Sequence, residues 1–155
     1  MFIMERICSF FGHRDVFVDL RDEIENAAKK VISEYGVNTF YVGDRGEFDR
    51  QSVSAICSLK HKYPNIKLIL VLPYFTNKLN TYKEYYQQQY DEIVIPSVLD
   101  DVHPKGAITR RNRWMVEQSS YIISYINRDH GGAYTAVSYA KKKKLPINNL
   151  GSFEI

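Results

Sequence analysis

The stretch Arg110–Ala140, RRNRWMVEQSSYIISYINRDHGGAYTAVSYA, decides how the rest of the chain is read. Within it, Tyr121-Ile122-Ile123-Ser124-Tyr125-Ile126 is a short β-rich run, set off by Ser119-Ser120 before it and the turn-forming Asn127-Arg128-Asp129 after it. Gly131-Gly132 then opens a helical pattern from Ala133 to Lys144. A strand, a glycine pair and a helix in that order make a βα unit of an open sheet, where ligands sit outside the carboxyl ends of the strands. Glycines there let the backbone approach a ligand closely, and the first-turn N–H groups favour an anion. Arg110, Arg111 and Arg113 lie just upstream. The combination points to a phosphate-bearing ligand, most simply a nucleotide.

The same unit recurs upstream. Arg6–Phe11 reads as the first strand and ends in Gly12-His13-Arg14-Asp15, whose acid is suited to cap the next helix. Val16–Tyr35 has helical spacing, with Val16, Leu20, Ile24, Ala28 and Val31 on one face, and Gly36 ends it. Thr39–Val42 is a second strand that runs into Gly43-Asp44-Arg45-Gly46-Glu47-Phe48-Asp49, followed by a helix from about Phe48 to Lys62. The aliphatic run Ile66–Leu72 fits a strand covered on both faces and stops at Pro73-Tyr74. Residues 75–91 hold a short helix around Tyr82–Gln89, and the length of the segment suits a lid or an interface. Glu92–Ile95, a helix from about Ala107 to Gln118 led in by His103-Pro104-Lys105, and a last strand at Pro146–Leu150 complete the series. Strand and helix alternate almost throughout. The expectation is one α/β, Rossmann-like domain over residues 1–155, with a mostly parallel sheet and helices on both faces.

Composition narrows the function. The net charge of +3 owes much to Lys141–Lys144 at a helix end, where cations complement the dipole. A nucleic-acid groove needs a larger basic excess, so nucleic acid is not the expected partner. No apolar run reaches the roughly 18 residues of a membrane span, which sets a membrane partner aside. The apolar start, MFIMERICSFF, lacks a basic lead and a cleavage site and reads as the approach to a strand, consistent with a cytoplasmic protein. Cys8 and Cys57 sit in apolar segments as free thiols. His13, His61, His103 and His130 show no ligand spacing, so no metal is expected, nor any cofactor apart from the ligand itself. Tyrosine is abundant, with twelve, and the Tyr82–Tyr90 segment suits a pocket wall or a subunit contact.

Glycine-containing loops at three strand ends, all expected on one edge of the sheet, outline a crevice. Arg14, Arg111 and Arg113 are candidate phosphate contacts because a guanidinium fork matches phosphate oxygens, with surface ion pairing as the alternative for each. Asn112 is placed to hydrogen-bond a base or ribose, or to cap its helix. Glu47 and Asp49 either complement a helix dipole or grip ribose hydroxyls near a glycosidic carbon. Trp114 and Met115 belong to packing. Pro73, Tyr74 and Gly131-Gly132-Ala133-Tyr134-Thr135 complete the candidate binding set. No G-x-S-x-G elbow is present, and no residue is assigned to catalysis.

Phe11-Gly12-His13-Arg14, Tyr41-Val42-Gly43-Asp44-Arg45-Gly46-Glu47-Phe48-Asp49, Arg111-Asn112-Arg113-Trp114-Met115 and Gly131-Gly132-Ala133 together resemble the SLOG superfamily. This superfamily is related to the LONELY GUY and Smf proteins, and the nearest-looking branch is that of the short YpsA-like proteins of bacteria and phages. The resemblance covers nearly the whole chain. It implies a Rossmann-like fold that binds nucleotides or nucleotide-derived ligands, and self-association. LONELY GUY phosphoribohydrolases carry GGxGTxxE. On this chain its glycines fall on Gly131 and Gly132, its third glycine on Tyr134, its threonine on Thr135 and its catalytic glutamate on Ser138. A serine cannot do a carboxylate's work at an anomeric centre, whereas binding survives the exchange. Tyr134 would crowd the phosphate loop or stack on a base.

The resemblance therefore implies a non-catalytic binder of a nucleotide-derived ligand, ADP-ribose or cyclic ADP-ribose by preference. Such a binder serves as a sensor or, if phage-encoded, as a sponge for an immune signal. Two alternatives stay open. One is glycosidic cleavage or deoxyribosyl transfer with Glu47 or Asp49 replacing the missing carboxylate. The other is a protein-interaction module that docks through the tyrosine-rich segment.

Overall fold

The computed structural model describes residues 5–155, so the first four residues of the apolar start lie outside the described residues. Strands β1 (Ile7–Gly12), β2 (Thr39–Val42), β3 (Lys67–Val71), β4 (Glu92–Val94), β5 (Tyr121–Tyr125) and β6 (Ile147–Asn149) form one parallel sheet. The strand order is β4-β3-β2-β1-β5-β6. Helices α1 (Arg21–Tyr35), α2 (Glu47–Leu59), α3 (Lys78–Thr81), α4 (Lys83–Gln89), α5 (Pro104–Gln118) and α6 (Gly132–Lys142) connect them. Parallel neighbours cannot be joined by a tight hairpin, so each connection crosses over the sheet. The chain builds outward from β1 to β4, then returns to lay β5 on the other side of β1. That reversal brings the carboxyl ends of β1 and β5 together, with Gly12 paired to Tyr125.

Period-two alternation sends each central strand to two cores. Cys8, Phe10, Phe40, Leu68 and Ile123 pack with Ile24, Val31 and Ile56 of α1 and α2. Ile7, Phe11, Tyr41, Ile69 and Ile122 pack with Met115, Val116, Val137 and Ala140 of α5 and α6. Each fully buried Ile or Phe among them contributes roughly 1.5–3 kcal/mol of burial. The expected Rossmann-like α/β architecture is what forms, and most element ends fall within one or two residues of their expected places. Trp114 stacks on Tyr41 with ring centroids 5.6 Å apart, and Met115 is fully buried. Both cysteines are free thiols. Among the described residues no helix is long and apolar enough to cross a membrane.

Three expectations are corrected. The first helix starts at Arg21, not Val16. Val16 and Leu20 are buried from an irregular segment, which Gln51 of α2 grips by accepting from Leu20 N at 2.6 Å and donating to Val18 O at 2.9 Å. Asp15 cannot cap that helix, because its carboxylate takes Arg128 Nη1 and Nη2 at 3.1 and 2.8 Å. The single short helix expected near Tyr82–Gln89 is preceded by a separate turn of helix, α3. At the end of β6, Asn149 accepts from Ile126 N at 2.8 Å and donates to Ile126 O and Phe153 O at 3.0 and 2.7 Å, folding the tail back beneath the end of β5.

Candidate functional site

The loops after β1, β2 and β5 meet at the carboxyl edge of the sheet around a cleft of ≈ 450 Å³. Two contacts between the first two loops set its shape. Glu47 N donates to Arg14 O at 2.9 Å, and a Cβ on Gly46 would stand 2.4 Å from Arg14 Cα, so only glycine lets these backbones approach. At Gly46 φ is +98°, a conformation that side chains disfavour. The first and third loops are joined by His13, buried at 3 % exposure, whose Nε2 accepts from Asn127 N at 3.2 Å. Burial, and then the charge of Arg128, push the His13 pKa down, which keeps the ring neutral and its Nε2 an acceptor. The Asp15–Arg128 pair bridges the same two loops nearer the surface.

The cleft is basic. Arg14, Arg45, Arg111 and Arg128 line it, together with Gly131, Gly132 and Ala133 at the start of α6. A Cβ on Gly132 would meet nothing within 4 Å, so the backbone of this helix start is open to the cleft. Arg111, from α5, is only 4 % exposed and forms part of the wall. Its Nη1 donates to Val71 O at 2.8 Å, its Nε donates to Asn112 Oδ1 at 2.9 Å, and Asp44 Oδ1 lies 4.0 Å from Nη1. Asp49 is the buried acid of the cleft, accepting from Arg45 N at 2.9 Å. Burial pushes its pKa up to about 7, against the lowering effect of the Arg45 N–H and the Arg111 charge. Arg45 Nη2 donates to Tyr74 Oη at 2.8 Å, while its Nε is buried without a hydrogen-bond partner, with Asp44 Oδ1 at 3.9 Å.

Gly12, His13, Arg14, Gly43, Asp49, Arg111, Asn112 and Gly131-Gly132-Ala133 are brought together as the sequence suggests. Others are placed elsewhere. Glu47 points away and is ion-paired to Arg50 of its own helix. Phe48 is wholly buried, meeting Phe10 edge-on and stacking on Tyr125. Arg113 sits over the Tyr139 ring at 5.3 Å, beside Thr135 in a shallow hollow next to the cleft. Tyr134 neither crowds a phosphate loop nor faces a base position, because its ring packs edge-on against Phe153 at 5.7 Å. Pro73 is buried, and Tyr74 reaches the site only through Arg45. Asp44 and Gly46 face a second cavity on the other side of their turn. Sequence reasoning missed Arg45 and Arg128 as cleft residues. The signal lay in their positions, each in a loop directly after a strand. Among the described residues, no group of three or more His, Cys, Asp or Glu side chains is arranged to hold a metal ion.

Fold and site together define a Rossmann-like domain with a basic, glycine-walled cleft at its switch point. The family model described as the YspA SLOG family, YpsA, matches residues 7–152, and the chain belongs to that family. No curated protein matches it. Among solved structures it is similar to DNA processing protein A (DprA) of Streptococcus pneumoniae, with a TM-score of 0.65 and 15% identity over 94% of this chain and 50% of that one. It is also similar to DNA processing protein A of Helicobacter pylori, with a TM-score of 0.62 and 16% identity over 93% of this chain and 64% of that one. The latter structure is described by its single-stranded DNA binding mode. The chain thus spans half to just under two thirds of these proteins, and at such identity the likeness is one of fold.

Proposed function

We propose that the cleft binds a nucleotide-derived ligand, ADP-ribose-like by preference, and does not turn it over. One observation carries this reading: the open Gly131–Gly132 helix start and the side chains of Arg14, Arg45, Arg111 and Arg128 line the same cleft. A phosphate would lie against the first turn of α6, where N–H groups and the helix dipole favour an anion. Asp49 would take a ribose hydroxyl. A cleft of ≈ 450 Å³ falls within the range of small-molecule sites. Ser138, where the hydrolase signature has its glutamate, does not line the cleft and offers no carboxylate there. The protein would then act as a sensor or a sponge. Self-association belongs to the same proposal and is checked by light scattering.

A second reading, single-stranded nucleic acid, is favoured by the Helicobacter pylori neighbour and opposed by the modest net charge of +3. A thermal-shift screen with ADP-ribose, NAD, mononucleotides and a short oligonucleotide separates the two, with each ligand recovered and chromatographed. A native-state ligand at a hundredfold over its Kd adds about 2.7 kcal/mol. The expected result is a shift with intact ADP-ribose, lost in Gly132→Asp, which places a carboxylate at the proposed anion position without a clash. A shift by the oligonucleotide alone, falling steeply with salt, would replace this reading with the second. Release of free base would make the protein an enzyme.

A further inference from the structure

The tyrosine-rich segment encloses a second cavity, of ≈ 580 Å³, between α4 and α2. Gly43 and Asp49 line both this cavity and the basic cleft, so the two spaces are neighbours. The turn between them contributes Arg45 to the cleft and Asp44 to the second cavity. Their chemistries differ. Where the cleft has four arginines and no tyrosine in its wall, the second cavity has Tyr85, Tyr86 and Tyr90 on one side and Val53, Ser54 and Cys57 of α2 on the other, together with the charged side chains of Asp44, Arg50 and Lys78. Tyr86 stacks on Tyr90 with centroids 6.1 Å apart at 27°, and meets Tyr85 edge-on at 5.6 Å. Burial pushes the hydroxyl pKa values of Tyr86 and Tyr90 up, so both rings stay neutral at any ordinary pH.

Tyr90 packs against the core of α1 and α2, but core packing does not account for Tyr85 and Tyr86. Neither α3 nor α4 buries a single residue fully, whereas packed interiors leave few voids larger than a water molecule. A space of this size, with three tyrosine rings in its wall and the polar groups of Ser54 and Gln89 beside the charges of Asp44, Arg50 and Lys78, matches a flat heteroaromatic ring with polar edges. The arginines of the cleft, on the far side of the Gly43–Gly46 turn, match phosphate.

We infer that the second cavity is a nucleobase subsite of the same binding site, and that the ligand is two-ended: a base stacked on Tyr86, joined across the Gly43–Gly46 turn to a phosphate-bearing part in the basic cleft. This rests on the cleft being an anion site, and it adds what the cleft alone does not specify, namely where the base of the ligand is held. Stacking of a base on an aromatic side chain strengthens binding by on the order of tenfold or more.

Isothermal titration of the full chain with ribose 5-phosphate and with ADP-ribose tests it. ADP-ribose should bind at least about tenfold tighter than ribose 5-phosphate. Tyr86→Ala should remove that advantage while leaving ribose 5-phosphate affinity unchanged, and Tyr86→Phe should restore it. Ser54→Phe, which fills the cavity from the opposite wall, should act like Tyr86→Ala and serves if that variant folds poorly. Equal affinity for the two ligands, ADP-ribose affinity unmoved by Tyr86→Ala and Ser54→Phe, or equal weakening of both ligands would overturn the inference while the cleft reading stands. If the wild-type chain binds neither ligand, the cleft reading itself fails and the base subsite with it.

Discussion

Asp49 and Arg111 meet across Gly43: a Cβ on that glycine would stand 3.1 Å from Asp49 Oδ2 and 3.1 Å from Arg111 Nη1. One comes from α2 and the other from α5, and both are buried at the edge of the cleft. The guanidinium stays charged at any relevant pH, whereas burial brings the carboxyl up to about 7. With Asp49 protonated, more of the Arg111 charge is left for a ligand. With it ionised, the two offset one another. One proton on Asp49 therefore changes the net charge of the cleft by one.

The first prediction concerns pH. Asp49 has its folded pKa raised from 3.8 to about 7, so the native state holds the proton more tightly than the unfolded chain. Its contribution to stability is fully present below pH 3.8 and is lost as pH rises through about 7. Asp15, Asp19 and Glu47 are held low by arginine partners and act in the opposite sense, losing stability as pH falls. Comparison with Asp49→Asn isolates the one group. Relative to that variant, the wild type should lose on the order of a few kcal/mol between about pH 4 and pH 7 in urea titrations. Anion affinity should weaken over the upper part of that range in the wild type only. Parallel stability profiles for the two proteins would show that folding does not raise the Asp49 pKa.

Gly46→Ala should destabilise the chain by about 2 kcal/mol or more, because a left-handed conformation and a backbone clash with Arg14 are combined at one position. Chemical denaturation reads the loss. Ligand affinity should fall as well, since the Glu47 N–H bond to Arg14 O that holds the first loop against the second would be displaced. An alanine variant as stable as the wild type would mean that the two loops are not held in this contact.

Glu47→Gln should leave ligand affinity unchanged. The Glu47 carboxylate is engaged by Arg50 and lines neither the cleft nor the second cavity. The same substitution distinguishes the glycosidase alternative: if base release is found and Glu47→Gln abolishes it, both the non-catalytic reading and the placement of this side chain are overturned. Calorimetry and chromatography on one pair of samples give both answers.

Much of this was legible in the chain itself. The alternation at Phe10–Phe11 and Phe40–Tyr41, the helical spacing of Ile24, Ala28 and Val31, and the glycines at or after the ends of three strands are local signals that report secondary structure and the edge of the sheet at which the cleft lies. The residue-by-residue likeness across Gly12–Arg14, Gly43–Asp49 and Gly131–Ala133 pointed to the right superfamily. Side-chain direction at the helix starts was not legible. Glu47 and Asp49 look equivalent two residues apart, yet a helix turns about 200° over that interval and buries Asp49 while leaving Glu47 half-buried and paired to Arg50.

The sequence by itself determined the βα series, the domain class and the edge of the sheet at which the cleft opens, because these follow from backbone preference and hydrophobic period within a few residues. Only the tertiary structure decided that Arg45 and Arg128 enter the cleft, that Arg111 is buried beside Asp49, and that Tyr134 turns to Phe153. The reason is physical. Those outcomes depend on β5 lying beside β1 and on which side chains compete for the space between distant helices. That competition is settled by packing across the whole sheet, and no local periodicity records it.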